Sequence, residues 1–73
     1  MLEIRFFATL RKERDNSIKI DFTEGITGYE IINYFNISEA EVSIFLVNGF
    51  HTPLEKNLND NDIISIFPPV GGG

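Results

Sequence analysis

Seventy-three residues with a formal net charge of −5 make one acidic domain, and that balance disfavours nucleic acid, which selects basic surfaces. The chain has no cysteine, so disulfides, thiolate metal sites and thiol nucleophiles are excluded. No apolar run approaches the roughly 20 residues of a membrane span and no signal-peptide pattern opens the chain, so a cytoplasmic monomer without membrane contact is expected.

A chain this short buries about 60% of its unfolded surface, which is marginal but sufficient for independent folding. Its acidity also suits a basic protein partner approached by electrostatic steering.

Leu2-Glu3-Ile4-Arg5-Phe6-Phe7-Ala8 alternates as a strand does. Leu2, Ile4, Phe6 and Ala8 share one face, and Glu3, Arg5 and Phe7 the other. Arg11 to Ser17 is polar and reads as a connection. Ile18-Lys19-Ile20-Asp21-Phe22 is a second alternation, with Ile18, Ile20 and Phe22 toward the core. Two amphipathic strands this close predict an antiparallel hairpin.

The period then changes. Thr27-Gly28-Tyr29-Glu30 fits a capping box, with Ile26 and Ile31 placed for a hydrophobic staple. Ile31, Ile32 and Phe35 give an apolar stripe at helical spacing, which predicts a helix over residues 28–35. Ser38-Glu39-Ala40-Glu41 repeats the capping pattern and marks one short helical turn.

Ile44 to Val47 reads as a buried strand. Asn48-Gly49 follows, a tight-turn dipeptide in which both residues tolerate positive φ. His51 to Leu54 is expected to pair back, at a sheet edge because of Pro53. Residues 57–62 form a polar turn in which Asn61 suits a left-handed conformation. Ile63 to Phe67 is the last strand, ended by Pro68 and Pro69. The expected fold is α+β: a mixed sheet of four or five strands with one main helix packed across it. Residues 1–67 form the domain and residues 68–73 a functional tail.

The tail, Pro68-Pro69-Val70-Gly71-Gly72-Gly73, carries the strongest functional signal. Glycine has no Cβ and can thread a channel too narrow for other residues, while two prolines hold the tail's start extended. Six residues reach roughly 20 Å at about 3.3 Å each. The arrangement makes the terminal carboxylate a candidate working group, against the plain alternative of a disordered end. Phe7 and Phe67 fall on the outward faces of their strands, which points to an apolar docking patch beside the tail rather than isolated surface rings. His51 reads as a lone loop histidine. Asp60 and Asp62 read as turn residues, since the ligand spacing of a calcium loop is absent. No residue pattern marks an active site built of side chains.

Together these pieces resemble the MoaD/ThiS family of sulfur carriers, on the branch of the molybdopterin synthase small subunit. The matching pieces are Phe6-Phe7-Ala8 with Arg11, the Val47-Asn48-Gly49 turn, residues 58–63, and the ending Phe67-Pro68-Pro69-Val70-Gly71-Gly72-Gly73. Gly71 and Asn61 depart from the family's usual residues. The resemblance implies a β-grasp, ubiquitin-like fold. It implies that an E1-like enzyme, using ATP and Mg, adenylates the Gly73 carboxylate, with Gly72 beside it, and that sulfur then makes a thiocarboxylate. Phe7, Phe67, Pro68, Pro69, Val70, Gly71 and Arg11 would contact the E1-like enzyme and the large synthase subunit, and the carrier itself would bind no cofactor. A ubiquitin-like modifier or interaction module is the alternative, as is a carrier for thiamine, tRNA thiolation or amino-acid synthesis.

Overall fold

The computed structural model describes residues 1–11, without the Arg11 side chain, and 15–69. Its strands are β1 (Leu2–Phe6), β2 (Ser17–Ile20), β3 (Ile44–Val47), β4 (Phe50–His51) and β5 (Ile63–Phe67). One helix, α1 (Gly28–Tyr34), lies between β2 and β3 in the chain, and short 3-10 turns cover Ala8–Arg11 and Glu39–Glu41. The strands form one sheet in the order β2-β1-β5-β3-β4. β1 and β5 run parallel at its centre, and the other neighbours are antiparallel.

Alternation along the strands divides the sheet into two faces. Leu2, Ile4 and Phe6 of β1 are buried, as are Ile64 and Ile66 of β5. The register sets Ile4 beside Ile64, and places Phe6 and Phe45 on either side of Ile66. Helix α1 covers this face with Ile31 and Ile32, and the Phe35 ring meets Phe6 edge-on at 4.9 Å.

The capping box of α1 forms as its sequence dictates, with the Thr27 N–H donating to Glu30 Oε1 at 3.3 Å. At the helix start Gly28 is required by space. A Cβ there would lie 2.8 Å from Phe45 Cζ and 2.9 Å from Leu54 Cδ2. The 54–58 segment is fastened to the helix entrance by Tyr29 N–H to Leu54 O and Leu58 N–H to Ile26 O. Ser38 and Glu41 form the second capping box, around the 3-10 turn. Asn48 and Gly49 adopt φ of 53° and 87° and close a two-residue hairpin that pairs Val47 with Phe50. Asn61 is left-handed, at φ 70°.

Several expectations need correction. The first strand stops at Phe6, and Ala8 is exposed with a φ of 54°. The 3-10 turn there brings Leu10 into the core position the alternation had assigned to Ala8. β2 ends at Ile20, two residues short of Phe22, which packs half-buried against the core from beyond the strand. The return strand after the Asn48-Gly49 turn is Phe50–His51, not His51 to Leu54, so His51 is an exposed strand residue paired with Leu46. Pro53 accepts the Lys56 N–H through its carbonyl and turns the chain away instead.

Candidate functional site

The last residues of β5 form the root of the tail, and they are fixed from both sides. On one side Phe7 N–H donates to Ile66 O at 3.2 Å, and on the other Ser43 N–H donates to Phe67 O at 2.8 Å. The Phe7 and Phe67 rings stack at 4.3 Å between centroids, with 9° between their planes. Each ring is half-buried. The two aromatics therefore form one joined apolar surface, where the sequence reading placed two outward rings. Pro68 is half-buried and Pro69 exposed. The prolines line a shallow groove of about 320 Å³ together with Thr9, Leu10, Ala40 and Glu41.

The stacked pair sits on the sheet face opposite α1. In register on that face are Ile44 beside Phe67, Leu46 and Arg5 beside Ser65, and Ile63 beside Glu3. Ile44 is exposed, and Leu46 and Ile63 are half-exposed. With Phe7 and Phe67 they make an apolar strip that no element among the described residues covers. The sequence reading took Ile44 to Val47 as a buried strand and so missed Ile44 and Leu46 as surface residues. The available signal was that β3 is apolar on both faces, a pattern proper to a strand covered on both sides. Arg5 and Glu3 border the strip and form an ion pair at 2.6 Å. The Arg5 hydrogen bond holds the Glu3 carboxyl below its ordinary value.

Elsewhere the candidates disperse. Asp60 turns to the N-terminal amine, which holds its carboxyl below the usual range by a hydrogen bond. Asp62 is buried, and accepts from Asn48 Nδ2 at 2.9 Å and from Asn59 N–H at 2.8 Å. The two are thus no acid–base pair, and Asp62 is a buried anchor rather than a plain turn residue. Among the described residues no group of His, Asp and Glu could hold a metal ion, and no helix is long and apolar enough to cross a membrane. Val70, Gly71, Gly72 and Gly73 and the Arg11 side chain lie outside the described residues.

A five-stranded mixed sheet crossed by one helix, with a parallel central pair, defines the β-grasp, ubiquitin-like class. The ThiS family model matches residues 4–73. The chain belongs to that family of small sulfur carriers, which in general are not catalysts. The solution structure of the Haloferax volcanii HVO 2177 protein is similar, with 30% identity over 99% of this chain and 85% of that one, and a TM-score of 0.76. A chain in the complex of subunits 1 and 2 of the molybdopterin-converting factor from Helicobacter pylori is 29% identical, covers 99% and 97%, and has a TM-score of 0.61. The small archaeal modifier protein 1 of H. volcanii shares the fold, at 17% identity, coverage of 94% and 97%, and a TM-score of 0.72. A search of the curated proteins found no match.

Proposed function

We propose that the chain carries sulfur on its Gly73 carboxylate as the small subunit of molybdopterin synthase. The observation that carries this reading is the family match, which spans residues 4–73 and so includes the tail. The likeness to a chain of the molybdopterin-converting factor complex supports the pathway. The carboxylate is ionised at neutral pH and is a poor electrophile. Its oxygen attacks the α-phosphorus of ATP, pyrophosphate leaves, and an acyl adenylate forms on an E1-like partner with Mg. A sulfur nucleophile then displaces AMP and leaves the thiocarboxylate. The tail delivers that sulfur to a pterin precursor inside the large subunit.

The domain's part is docking and aim. The strip of Phe7, Phe67, Ile44, Leu46 and Ile63 gives a partner an apolar face beside the tail root. The hydrogen bonds to Ile66 and Phe67 fix where Pro68 leaves the body.

The test is intact-mass measurement after co-expression with an E1-like enzyme and a sulfur source. The expected result is the mass gain of one oxygen exchanged for sulfur, absent from a variant lacking Gly72 and Gly73. Isopeptide conjugates to lysines, with no thiocarboxylate, would establish the modifier reading instead.

A further inference from the structure

We propose that Asn48 is a latent deamidation site that the fold keeps closed, so that opening of the β3–β4 hairpin is recorded as a covalent change. The inference stands on the turn chemistry and is independent of the sulfur-carrier reading.

Asn48 is followed by Gly49, and a residue without a side chain hinders its own backbone nitrogen least. The surroundings add no barrier, since even a Cβ on Gly49 would meet nothing within 4 Å. In the reaction the Gly49 nitrogen bonds to Asn48 Cγ and loses its proton. The Cγ–Nδ2 bond breaks and Nδ2 departs as ammonia, leaving a five-membered succinimide. Water then opens that ring to aspartate or isoaspartate. Water is the one co-reactant, and nothing is oxidised or reduced.

The native state opposes the first step from both ends of the amide. Asn48 Nδ2 donates to Asp62 Oδ1 at 2.9 Å, and Asn48 Oδ1 accepts the Ile63 N–H at 2.9 Å. The Asn48 N–H donates to Ile63 O at 2.8 Å. A left-handed residue so tied to β5 must change backbone and side chain together to bring Cγ onto the Gly49 nitrogen. That movement strips a donor from Asp62, a buried carboxylate, and unmade buried bonds are disfavoured. Lifting the hairpin off the start of β5 removes all three restraints at once.

The product cannot return to the old arrangement. A carboxylate at position 48 faces the Asp62 carboxylate where a donor stood, and like charges in such contact repel. Lys56, lining the same hollow, is the nearby cation that tempers the repulsion. A molecule whose hairpin has opened for long is thereby left with a weakened clamp.

The experiment uses the full chain, incubated in mildly alkaline buffer with and without urea, with deamidation at Asn48 followed by peptide mapping. The expected native rate is slower than the rate in urea by more than about tenfold, the factor given by 1.4 kcal/mol of protection. In Asp62→Ala under native conditions the rate rises toward the urea value, while hydrogen exchange shows the core amides still protected. The Asn48→Asp variant, the direct product, melts below the wild type. Equal rates with and without urea, or no deamidation in urea, overturn the proposal. An Asn48→Asp variant as stable as the wild type overturns the irreversible weakening. If Asp62→Ala does not fold, the wild-type rate ratio and the Asn48→Asp melt decide between these outcomes.

Discussion

Phe7 and Phe67 stack face to face, and in doing so they join the segment after β1 to the final residue of β5. Their backbones are joined as well, through Phe7 N–H and Ile66 O. The tail root is therefore held by the exposed apolar strip itself. The docking proposed for that strip and the placement of the tail root would then rest on the same pair of side chains.

The first prediction follows from that pairing. Phe7→Ala and Phe67→Ala should each weaken binding to the large synthase subunit or the E1-like enzyme by over about tenfold, measured by titration calorimetry. Both variants should fold. In a double-mutant cycle by urea unfolding, the rings should show a coupling of about 0.5–1.5 kcal/mol. Strict additivity would mean that the stack contributes nothing beyond burial. Variants that unfold, yet bind normally whenever folded, would make the rings core and move the docking surface elsewhere.

Gly28→Ala should destabilise the domain although alanine is the better helix former. The new Cβ would meet Phe45 Cζ at 2.8 Å and the Leu54 Cα at 3.0 Å, and the latter is backbone that cannot step aside. A loss of about 1–3 kcal/mol is expected for such overpacking. Urea unfolding of the variant beside the wild type measures it, and a gain in stability would show that the 54–58 segment is free to move.

Ile64→Ala empties a site with no solvent exposure at the centre of the sheet, and should cost about 2–5 kcal/mol. Ile20→Ala, on the flanking strand β2, should lie lower in that range, and Phe35→Ala should also fall within it through its contact with Phe6. Thermal and urea melts of the three variants would check the order. A loss within error at Ile64 would contradict the facing of β5.

The Glu3–Arg5 pair gives a pH-dependent prediction. Arg5 holds the folded-state Glu3 carboxyl below its ordinary value. The pair's contribution is therefore complete above the unfolded value and disappears as the pH falls through the folded one. Arg5→Ala should return the Glu3 titration, followed by NMR, toward the ordinary range. Its stability should converge with the wild type in acid. The difference at neutral pH should be small and shrink in salt, because the pair is near the surface. For the same reason Arg5→Ala should alter the association rate of a partner more than the affinity.

Local chemistry made much of the fold legible. The Thr27–Glu30 and Ser38–Glu41 boxes, the Asn48-Gly49 turn and the left-handed Asn61 each follow from a few adjacent residues, and each formed where expected. Strand ends were less legible, because they depend on contacts made far away. Ala8 continues the alternation of β1, but Leu10 fills that corner of the core better and a 3-10 turn puts it there. Asp62 looked like a turn carboxylate, and its burial depends on Asn48, fourteen positions earlier. The outward placement of Phe7 and Phe67 could be counted from period two, whereas their stacking required knowing that β1 and β5 are neighbours.

The position of β5 also governs when the chain can fold. It is the last strand in chain order, yet it lies between β1 and β3 with a ladder on each side. Chains are made from the N-terminus. Until residues 63–67 leave the ribosome, β1 and β3 present open edges to one another across a gap, and the core lacks Ile64 and Ile66. A product of interrupted translation is therefore an unclosed sheet, exposed to proteases and to wrong strand partners. The strand that closes the sheet is thus the segment that leads directly into residues 68–73.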